Sequence, residues 1–350
     1  MKKAKALGLL ALLAFSLAFP LLFSNPAITT IAVFTLLFAA AGTGWNIFSG
    51  YTGYIALGHA AYFGLGAYAL ALLCQDEHIP GGYIPFLFVP VAGLIAAASA
   101  VPLGAIALRT RRHTFVVITI AIFFIFQLMA YNLRAITNGS AGMSLPLLPP
   151  DWNEYFLNDV FYYVTLVLTL LALTLSWWVR NSKYGLGLLA IRDDEDRALG
   201  LGVKTGSYKL VAFVISAFFV GMAGAIYAYF LGSIYPPFAF DALFDVAVAL
   251  MAFLGGLGTL SGPILGALIL EPAQQYLALQ YGENGWYLIL YGLLFLMVIL
   301  FLPEGIVPTL SKKWASWKAA RSTAPSREPP PDDTTTSSQK AALLAEQGKG

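Results

Sequence analysis

Long apolar runs alternate with short polar segments along most of this chain. Ten runs are long enough to form helices that cross a bilayer core, which is about 30 Å thick and takes roughly 20 helical residues. They lie near Ala6–Phe23, Ala27–Ile47, Ala56–Leu73, Ile84–Leu108, Thr114–Leu133, Val160–Val179, Leu210–Phe230, Ala242–Leu257, Pro263–Leu279 and Trp286–Leu302. The pattern predicts an all-α fold, a polytopic transmembrane helical bundle of about ten spans with broken, glycine-rich segments.

Composition agrees with this fold class. Apolar residues make up 59% of the chain and charged residues 11%, and the mean hydropathy is +0.74. These values argue against a soluble globular protein and for membrane lipid as the surroundings. The net charge of +2 gives no reason to expect a nucleic-acid partner.

The residues that usually carry catalysis or bind metals are sparse in this sequence. The single Cys74 leaves no internal disulfide and no cysteine cluster for a metal. His59, His78 and His113 are too scattered to predict a metal site, and no HExxH or GxSxG pattern occurs. We therefore expect no catalytic site, no metal site and no enzyme.

A polar island of thirty residues, Arg180 to Lys209, interrupts the apolar pattern. Its centre reads AIRDDEDRALGLG. Asp193 is predicted to cap a short helix there, with Asp196 three positions later, and Gly200 begins the stop signal. Two interpretations stay open on physical grounds: a capped helix that only turns the chain, or a helix on which a soluble partner docks.

The distribution of basic residues predicts the orientation in the membrane. With the amino terminus inside, Arg134 is the one residue among the twenty Lys and Arg residues that lies outside. An even number of spans then places both termini in the cytoplasm. The first run could instead be a signal peptide, because Lys2, Lys3 and Lys5 precede it; we expect an uncleaved anchor.

The domain prediction follows from the same pattern. Residues 1–310 are expected to form the transmembrane domain, with the cytoplasmic loop 180–209. Residues 311–350 contain SREPPPDDTTTSSQ and offer little to bury, so they are expected to form a disordered cytoplasmic tail.

Glycine-rich runs mark places where the spans are not simple helices. At Gly50, Gly53, Gly255 and Gly258, where spans meet polar turns, we expect the helices to break. Such breaks at membrane depth survive when buried in protein or lining a watery cavity, so they point to a substrate path. Close helix packing is the interpretation that we favour for Gly58, Gly64, Gly221 and Gly224.

Several polar residues lie inside the predicted spans, where an ionisable group costs about 2.5 to 3.5 kcal/mol and must face protein or water. His59 is expected to make a structural hydrogen bond, with a role in the substrate path as the alternative. Structural pairing and gating both stay open for Glu271. Asp241 and Asp245 are expected to be solvated residues at the start of a helix.

The chain has no GxxxxGK[ST] phosphate loop, so ATP-driven transport would need another polypeptide to bind the nucleotide. An ion-driven secondary transporter is the alternative, with His59, Glu271 and Asp245 as coupling candidates. A membrane-embedded enzyme is a third and weaker alternative.

Four separated stretches resemble the branched-chain amino acid permeases of bacterial ABC importers, in the same order. They start at Asn46 (NIFSGYTGYIALGHAAYFGLGAYALAL), Lys183 (KYGLGLLAIRDDEDRALGLG and onward), Gly255 (GGLGTLSGPILGA) and Phe301 (FLPEGIVP), and the resemblance covers about Ala27 to Pro308.

The resemblance implies an inner-membrane subunit that pairs with a second, related permease. Two cytoplasmic ATPases, which bind ATP and Mg, would dock on its loops, and a periplasmic binding protein would deliver the cargo. Branched-chain or other hydrophobic amino acids are the expected cargo, with urea, amides and aromatic acids as alternatives. The carboxyl tail departs from the family's usual short end.

Carried over by position, the resemblance implies an ATPase-docking segment made of Ala190, Ile191, Arg192, Asp193, Asp194, Glu195, Asp196, Arg197, Ala198, Leu199 and Gly200. It also places Gly50–Tyr68 beside the translocation path. With the glycine and polar positions above, the candidate path residues are Asn46, Gly50, Tyr51, Gly53, Tyr54, His59, Phe63, Gly255, Gly258 and Glu271.

Overall fold

The computed structural model describes residues 2–23, 25–76, 79–146, 154–281 and 305–322, with 289, 292–293, 296–297 and 300. Helices dominate this part of the chain, as predicted. They are α1 Lys2–Leu22, α2 Pro26–Trp45, α3 His59–Asp76, α4 Ile84–Ala107, α5 Arg112–Asn132, α6 Arg134–Thr137, α7 Glu154–Asn181, α8 Lys183–Asp193, α9 Glu195–Gly200, α10 Thr205–Leu231, α11 Pro236–Ala239, α12 Ala242–Gly255, α13 Gly262–Tyr281 and α14 Ile306–Ser322.

Four shorter elements occur between these helices in the described chain. A π-helical turn, Asn46–Gly50, continues α2, and a 3-10 turn covers Gly139–Ala141. Strands β1 (Met143–Ser144) and β2 (Ser233–Ile234) pair antiparallel, with Met143 opposite Ile234. The all-α prediction therefore holds apart from this two-residue ladder.

Six helices in the described residues are long and apolar enough to cross a membrane. They are Pro26–Gly50, Ile84–Ala107, Arg112–Asn132, Leu157–Asn181, Thr205–Leu231 and Pro236–Gly255. The runs predicted at Ala56–Leu73 and Pro263–Leu279 form helices α3 and α13, but these are not among the six, and the first run gives only a shorter apolar helix, Leu10–Leu22. The tenth run lies mostly outside the described residues, so the count of ten is not confirmed.

Helix α10 packs against α3 and α4 through positions without side chains. A Cβ atom added at Gly224 would lie 2.0 Å from the carbonyl oxygen of Phe63, and one at Gly66 would lie 2.0 Å from that of Gly221. The predicted packing role of Gly221 and Gly224 is thereby confirmed. Gly64 packs in the same way beneath the ring of Phe240, and Gly58 against the backbone of Thr119.

The chain between α2 and α3 is helical through Thr52 and non-helical from Gly53 to Gly58, so the predicted break begins at Gly53, with Gly50 in the π-helical turn before it. It turns at Gly53, whose φ of +72° is a conformation that side chains disfavour. Trp45 Nε1 donates to the carbonyl of Ala56 (2.8 Å), and Thr119 Oγ1 accepts from the amide of Leu57 (3.2 Å). These side chains replace the missing helical hydrogen bonds inside the bundle.

A second break joins α12 to α13. Helix α12 ends at Gly255, where an added Cβ would lie 1.7 Å from the carbonyl oxygen of Gly262. Gly258 then adopts a φ of +75°. Both glycine-rich breaks, which we call break 1 (residues 46–58) and break 2 (residues 255–262), are therefore present.

Helix α14 runs from Ile306 to Ser322. The predicted boundary of the tail at residue 310 falls inside this helix, so residues 311–322 are helical. The rest of the predicted tail, 323–350, lies outside the described residues.

Candidate functional site

The polar island forms two consecutive helices, α8 and α9, with a sharp turn between them. Asp194, with extended backbone, caps α9, and its Oδ1 accepts from the amide of Arg197 (3.0 Å). The prediction placed this cap at Asp193, which is wrong by one residue because α8 continues through Asp193. Among four consecutive acidic residues, local capping signals do not decide which one leaves the helix.

Glu195, in the first turn of α9, binds two groups from other parts of the chain. Its Oε1 accepts from Lys209 Nζ at 2.5 Å, and its Oε2 accepts from the hydroxyl of Tyr54. Lys209 Nζ also lies 3.3 Å from the Tyr54 hydroxyl and 4.3 Å from the centre of its ring. The lysine side chain is buried, so this contact anchors α9 to α10 and to break 1.

These contacts set the ionisation of the Glu195 carboxyl. Partial burial acts to raise its pKa, but hydrogen bonds from Lys209 and Tyr54 and the lysine charge outweigh burial, so the pKa lies below its usual value. Burial raises the pKa of the Tyr54 hydroxyl, and its hydrogen bond to Glu195 adds to the rise. The phenol therefore stays protonated and donates to the carboxylate.

Arg192, near the end of α8, reaches both breaks. Its Nη1 donates to the carbonyl of Gly50 at 2.9 Å. The same guanidinium lies against Gly258, where an added Cβ would come within 2.1 Å of Nη1. Arg112 Nη2 in turn donates to the carbonyl of Arg192 (2.8 Å), which joins α8 to the start of α5.

Further hydrogen bonds join the two breaks directly. Asn46 Oδ1 accepts from the amide of Gly258 (2.8 Å), and Asn46 Nδ2 donates to the carbonyl of Thr259 (2.9 Å). Arg180 Nη1 donates to the carbonyl of Gly258 at 2.5 Å. The structure thus gathers breaks 1 and 2 and the predicted docking segment at one end of the bundle, which we call the polar end.

Of the other candidate path residues, Tyr51 lies in break 1, with its ring centre 6.0 Å from the Arg180 guanidinium, whereas His59 and Phe63 lie in α3, beyond the break. The Tyr51 hydroxyl is 2.7 Å from Ser176 Oγ, and His59 Nε2 is 2.7 Å from Ser216 Oγ. The expected structural hydrogen bond of His59 is thus present. Phe63 packs on Phe244 with ring centroids 4.2 Å apart.

Glu271 is a buried carboxylate in the middle of α13. Its Oε1 accepts from Gln275 Nε2 at 2.9 Å, one turn along the helix, whereas its Oε2 is buried with no hydrogen-bond partner. A structural pairing is therefore present on one oxygen, and a gating role stays a prediction.

Asp245 contradicts the expectation of a solvated helix-start residue. Its side chain is 3% exposed, and Oδ1 accepts from the amide of Ala60 (3.0 Å), so it caps the first turn of α3 from α12. Asp241 is the residue at the helix start: it caps α12 by accepting from the amide of Leu243 (2.9 Å).

Sequence reasoning missed three basic side chains of the polar end: Arg112, Arg180 and Lys209. Lys209 was predicted to be no more than the last residue of the polar island. A lone lysine at the fifth position of an apolar helix nevertheless indicates a buried partner. The sequence carries no comparable signal that Arg112 and Arg180 bind backbone carbonyls of distant segments.

The outer surface of the polar end is a polar cleft of about 490 Å³ between residues 108–113 and the docking segment. Arg111 and Asp196 face each other across it at 3.5 Å, both well exposed to solvent. Leu199 and Leu201 project from this surface and are 59% and 84% exposed, whereas Ala198 is buried. Of the predicted docking residues, Ala198 and Ile191 therefore pack inward.

No group of three or more His, Cys, Asp or Glu side chains that could hold a metal ion occurs in the residues that the structure describes.

A family model matches residues 27–299, which is most of the chain; its description is branched-chain amino acid transport system / permease component. The chain belongs to this family. The resemblance from the four sequence stretches is confirmed, and the chain is a multi-pass membrane permease, a transporter subunit rather than an enzyme.

Curated relatives agree with this family. The chain is 30% identical over 327 residues to the high-affinity branched-chain amino acid transport system permease protein LivM of Escherichia coli, covering 86% of this chain and 75% of the relative. It is 28% identical over 289 residues to the corresponding LivH protein of Salmonella typhimurium, covering 77% and 91%.

One relative that matches a shorter part of the chain is named for the import of a different cargo. The match to the autoinducer 2 import system permease protein LsrC of Yersinia pseudotuberculosis is 32% identical over 137 residues, covering 38% of this chain and 39% of the relative. No solved structure matches the chain.

Proposed function

We propose that this chain is one of two permease subunits of an ATP-driven importer in the bacterial inner membrane. It pairs with a second, related permease, as the similarity to both LivM and LivH suggests. Two cytoplasmic ATPase subunits bind ATP and Mg and dock at the polar end, and a periplasmic binding protein delivers the cargo. Branched-chain or related hydrophobic amino acids are that cargo.

The observation that carries the docking proposal is the exposed apolar tip of α9. Leu199 and Leu201 are exposed beside Asp196 and Arg197, at the most highly charged part of the described chain. Apolar side chains in such surroundings favour contact with a protein partner over contact with lipid tails. The ion pair between half-buried Glu195 and buried Lys209 holds this tip in place, so that a force on α9 reaches the bundle.

Charge distribution supports a cytoplasmic position for the polar end. Arg109, Arg111, Arg112, Arg180, Lys183, Arg192, Arg197, Lys204 and Lys209 lie at or near it, whereas Arg134 lies beyond the far end of α5. Basic residues stay on the cytoplasmic side of bacterial membrane proteins. Both termini are then cytoplasmic if the number of spans is even.

Replacing Leu199 by Glu tests the docking site. A carboxylate at the centre of an apolar contact is expected to weaken ATPase association about thirtyfold, which corresponds to about 2 kcal/mol. Co-purification of the ATPase with the tagged chain measures it. Ala198 is unsuitable for this test because its burial would confuse docking with folding.

Ile136→Glu is the matched control, since Ile136 is a similarly exposed apolar residue near the opposite end of α5. It should leave co-purification unchanged. Equal ATPase recovery with Leu199→Glu and Ile136→Glu would count against docking at α9, and uptake that persists without any ATPase would favour the ion-driven alternative.

The cargo is tested through the binding protein that works with this permease. Calorimetric titration with leucine, isoleucine and valine is expected to give heat of binding, whereas urea, simple amides and aromatic acids are expected to give none. A binding protein that prefers one of the latter would reassign the cargo while leaving the permease role intact.

A further inference from the structure

The side chain of Arg192 points away from the surface on which the ATPase is proposed to dock. Its aliphatic stem packs on Gly53, where an added Cβ would lie 3.1 Å from Cγ. Its Nη1 donates to the carbonyl of Gly50 at 2.9 Å and lies against Gly258. One arginine side chain therefore contacts break 1 at two points, through its stem and its guanidinium, and break 2 at one, through its guanidinium.

The absence of side chains at these glycines is what permits the contact. A Cβ at Gly258 would come within 2.1 Å of Nη1 and 2.7 Å of the Gly50 carbonyl oxygen. Any residue other than glycine at position 258 would push the guanidinium away from break 1. The two glycine-rich runs thus form a socket for a side chain that comes from the polar island.

Neighbouring contacts make this socket a rigid junction. Asn46 and Arg180 tie Gly258 to α2 and α7 through bonds of 2.5 to 2.9 Å, and Arg112 holds the carbonyl of Arg192 itself. Charge-assisted hydrogen bonds are stronger than neutral ones, and a guanidinium is planar and pre-organised. A displacement of the end of α8 is therefore carried to both breaks together.

We propose that Arg192 is a positioning residue that transmits movement of the docking segment to breaks 1 and 2 at the same time. This inference rests on the proposed function, in which the ATPases move α9. Arg192 acts on the translocation path through the Gly50 carbonyl and the Gly258 backbone, and it is no part of the ATPase contact. Its loss leaves the ATPases bound and weakens, without abolishing, their connection to the path, because the contact of Glu195 with Tyr54 and Lys209 still joins the docking segment to break 1 and α10.

The test uses the whole complex in proteoliposomes: this chain, its paired permease, both ATPases and the binding protein, with radiolabelled leucine as the probe. Arg192→Ala is compared with Lys183→Ala, which removes an exposed charge from the first turn of the same helix α8. The ATPase is expected to co-purify with both variants. Leucine uptake per ATP hydrolysed should fall about tenfold in Arg192→Ala alone, the factor that loss of one charge-assisted hydrogen bond gives.

The outcomes distinguish a positioning role of Arg192 from a role in ATPase docking. Loss of ATPase co-purification in Arg192→Ala would make Arg192 a docking contact and overturn the proposal, as would an unchanged uptake ratio. If the ATPase fails to co-purify with the unmodified chain, the proposed function itself is wrong.

Gly258→Ala gives a second route that keeps Arg192 and its charge. The new Cβ displaces the guanidinium, so the same fall in uptake per ATP is expected, with the ATPase still bound. Hydrogen exchange distinguishes transmission from general damage: adding ATP should still alter residues 194–200 fully in both variants and should alter 46–58 and 255–262 less than in the unmodified chain. An ATP response in both breaks that is as large as in the unmodified chain would overturn the proposal.

Discussion

Glu195 and Lys209 form an ion pair whose lysine is shielded from water inside the polar end. Glu195→Gln keeps an oxygen that can accept from Lys209 but removes the negative charge that faces the buried ammonium. Because a buried charge without its partner is costly, Glu195→Gln is expected to lower the free energy of unfolding by about 1–3 kcal/mol. Thermal unfolding of the detergent-solubilised protein measures it.

The control for this prediction is Asp194→Asn, which alters a neighbouring acid that has no buried cationic partner. Asn is a good helix cap, so the cost should stay within a few tenths of a kcal/mol. A Glu195→Gln protein as stable as the Asp194→Asn protein would show that the ion pair contributes nothing net.

The stability contribution of Glu195 should depend on pH. Its folded pKa lies below the usual value of about 4.3, so the pair contributes above that pH and is lost as the pH falls through the folded pKa. The difference in melting temperature between wild type and Glu195→Gln should be full at pH 7 and shrink below about pH 4. A difference that instead grew on acidification would contradict the assigned direction.

At the scale of elements, the packing of α10 on α3 depends on glycine at particular positions. Gly224→Ala puts a methyl group 2.0 Å from the Phe63 carbonyl oxygen, and overpacking of this kind costs about 1–3 kcal/mol. The measurement is again thermal unfolding in detergent.

Gly206→Ala is the matched control in the same helix. Nothing lies within 4 Å of an added Cβ there, so helix propensity alone acts, and the change should be neutral or stabilise by up to about 1 kcal/mol. Equal loss of stability in both variants would mean that helix α10 tolerates no alanine for a reason other than packing.

The sequence predicted elements better than it predicted contacts. Glycines at helix ends predicted breaks 1 and 2 correctly. A positive φ or a close backbone contact requires glycine at that position, so the requirement is visible in the local sequence. The position of the α9 cap was wrong by one residue. Asp245 was placed in solvent because its partner, the amide of Ala60, is 185 positions away in the chain. No local pattern reports such a pairing, and the same holds for Arg192 and Gly50.

The count of ten spans is not confirmed, and for α3 and α13 the reason is related. Helices α3 and α13 contain polar residues, His59 and Glu271 among them, that are buried against neighbouring helices rather than facing lipid. Hydropathy along the sequence does not distinguish these two surroundings.

At the scale of the whole molecule, the arrangement of charge predicts which end faces the cytoplasm. Single cysteines are introduced at Ser261, in break 2, and at Ile136, near the opposite end of α5, on a Cys74→Ser background. A membrane-impermeant maleimide applied to spheroplasts is expected to label position 136 and to spare 261 until the membrane is opened. The reverse pattern would invert the proposed topology.

The cap that Asp245 provides for α3 has a consequence for the order of events during synthesis. Helix α3 is made early, yet the carboxylate that binds its first turn belongs to α12, and Asn46 likewise waits for the amide of Gly258. The first third of the chain therefore enters the membrane before the backbone amide of Ala60 and the side chain of Asn46 have their final partners. It completes its fold only when the ribosome has released the last third, so a truncated chain that ends before α12 is a target for membrane proteases.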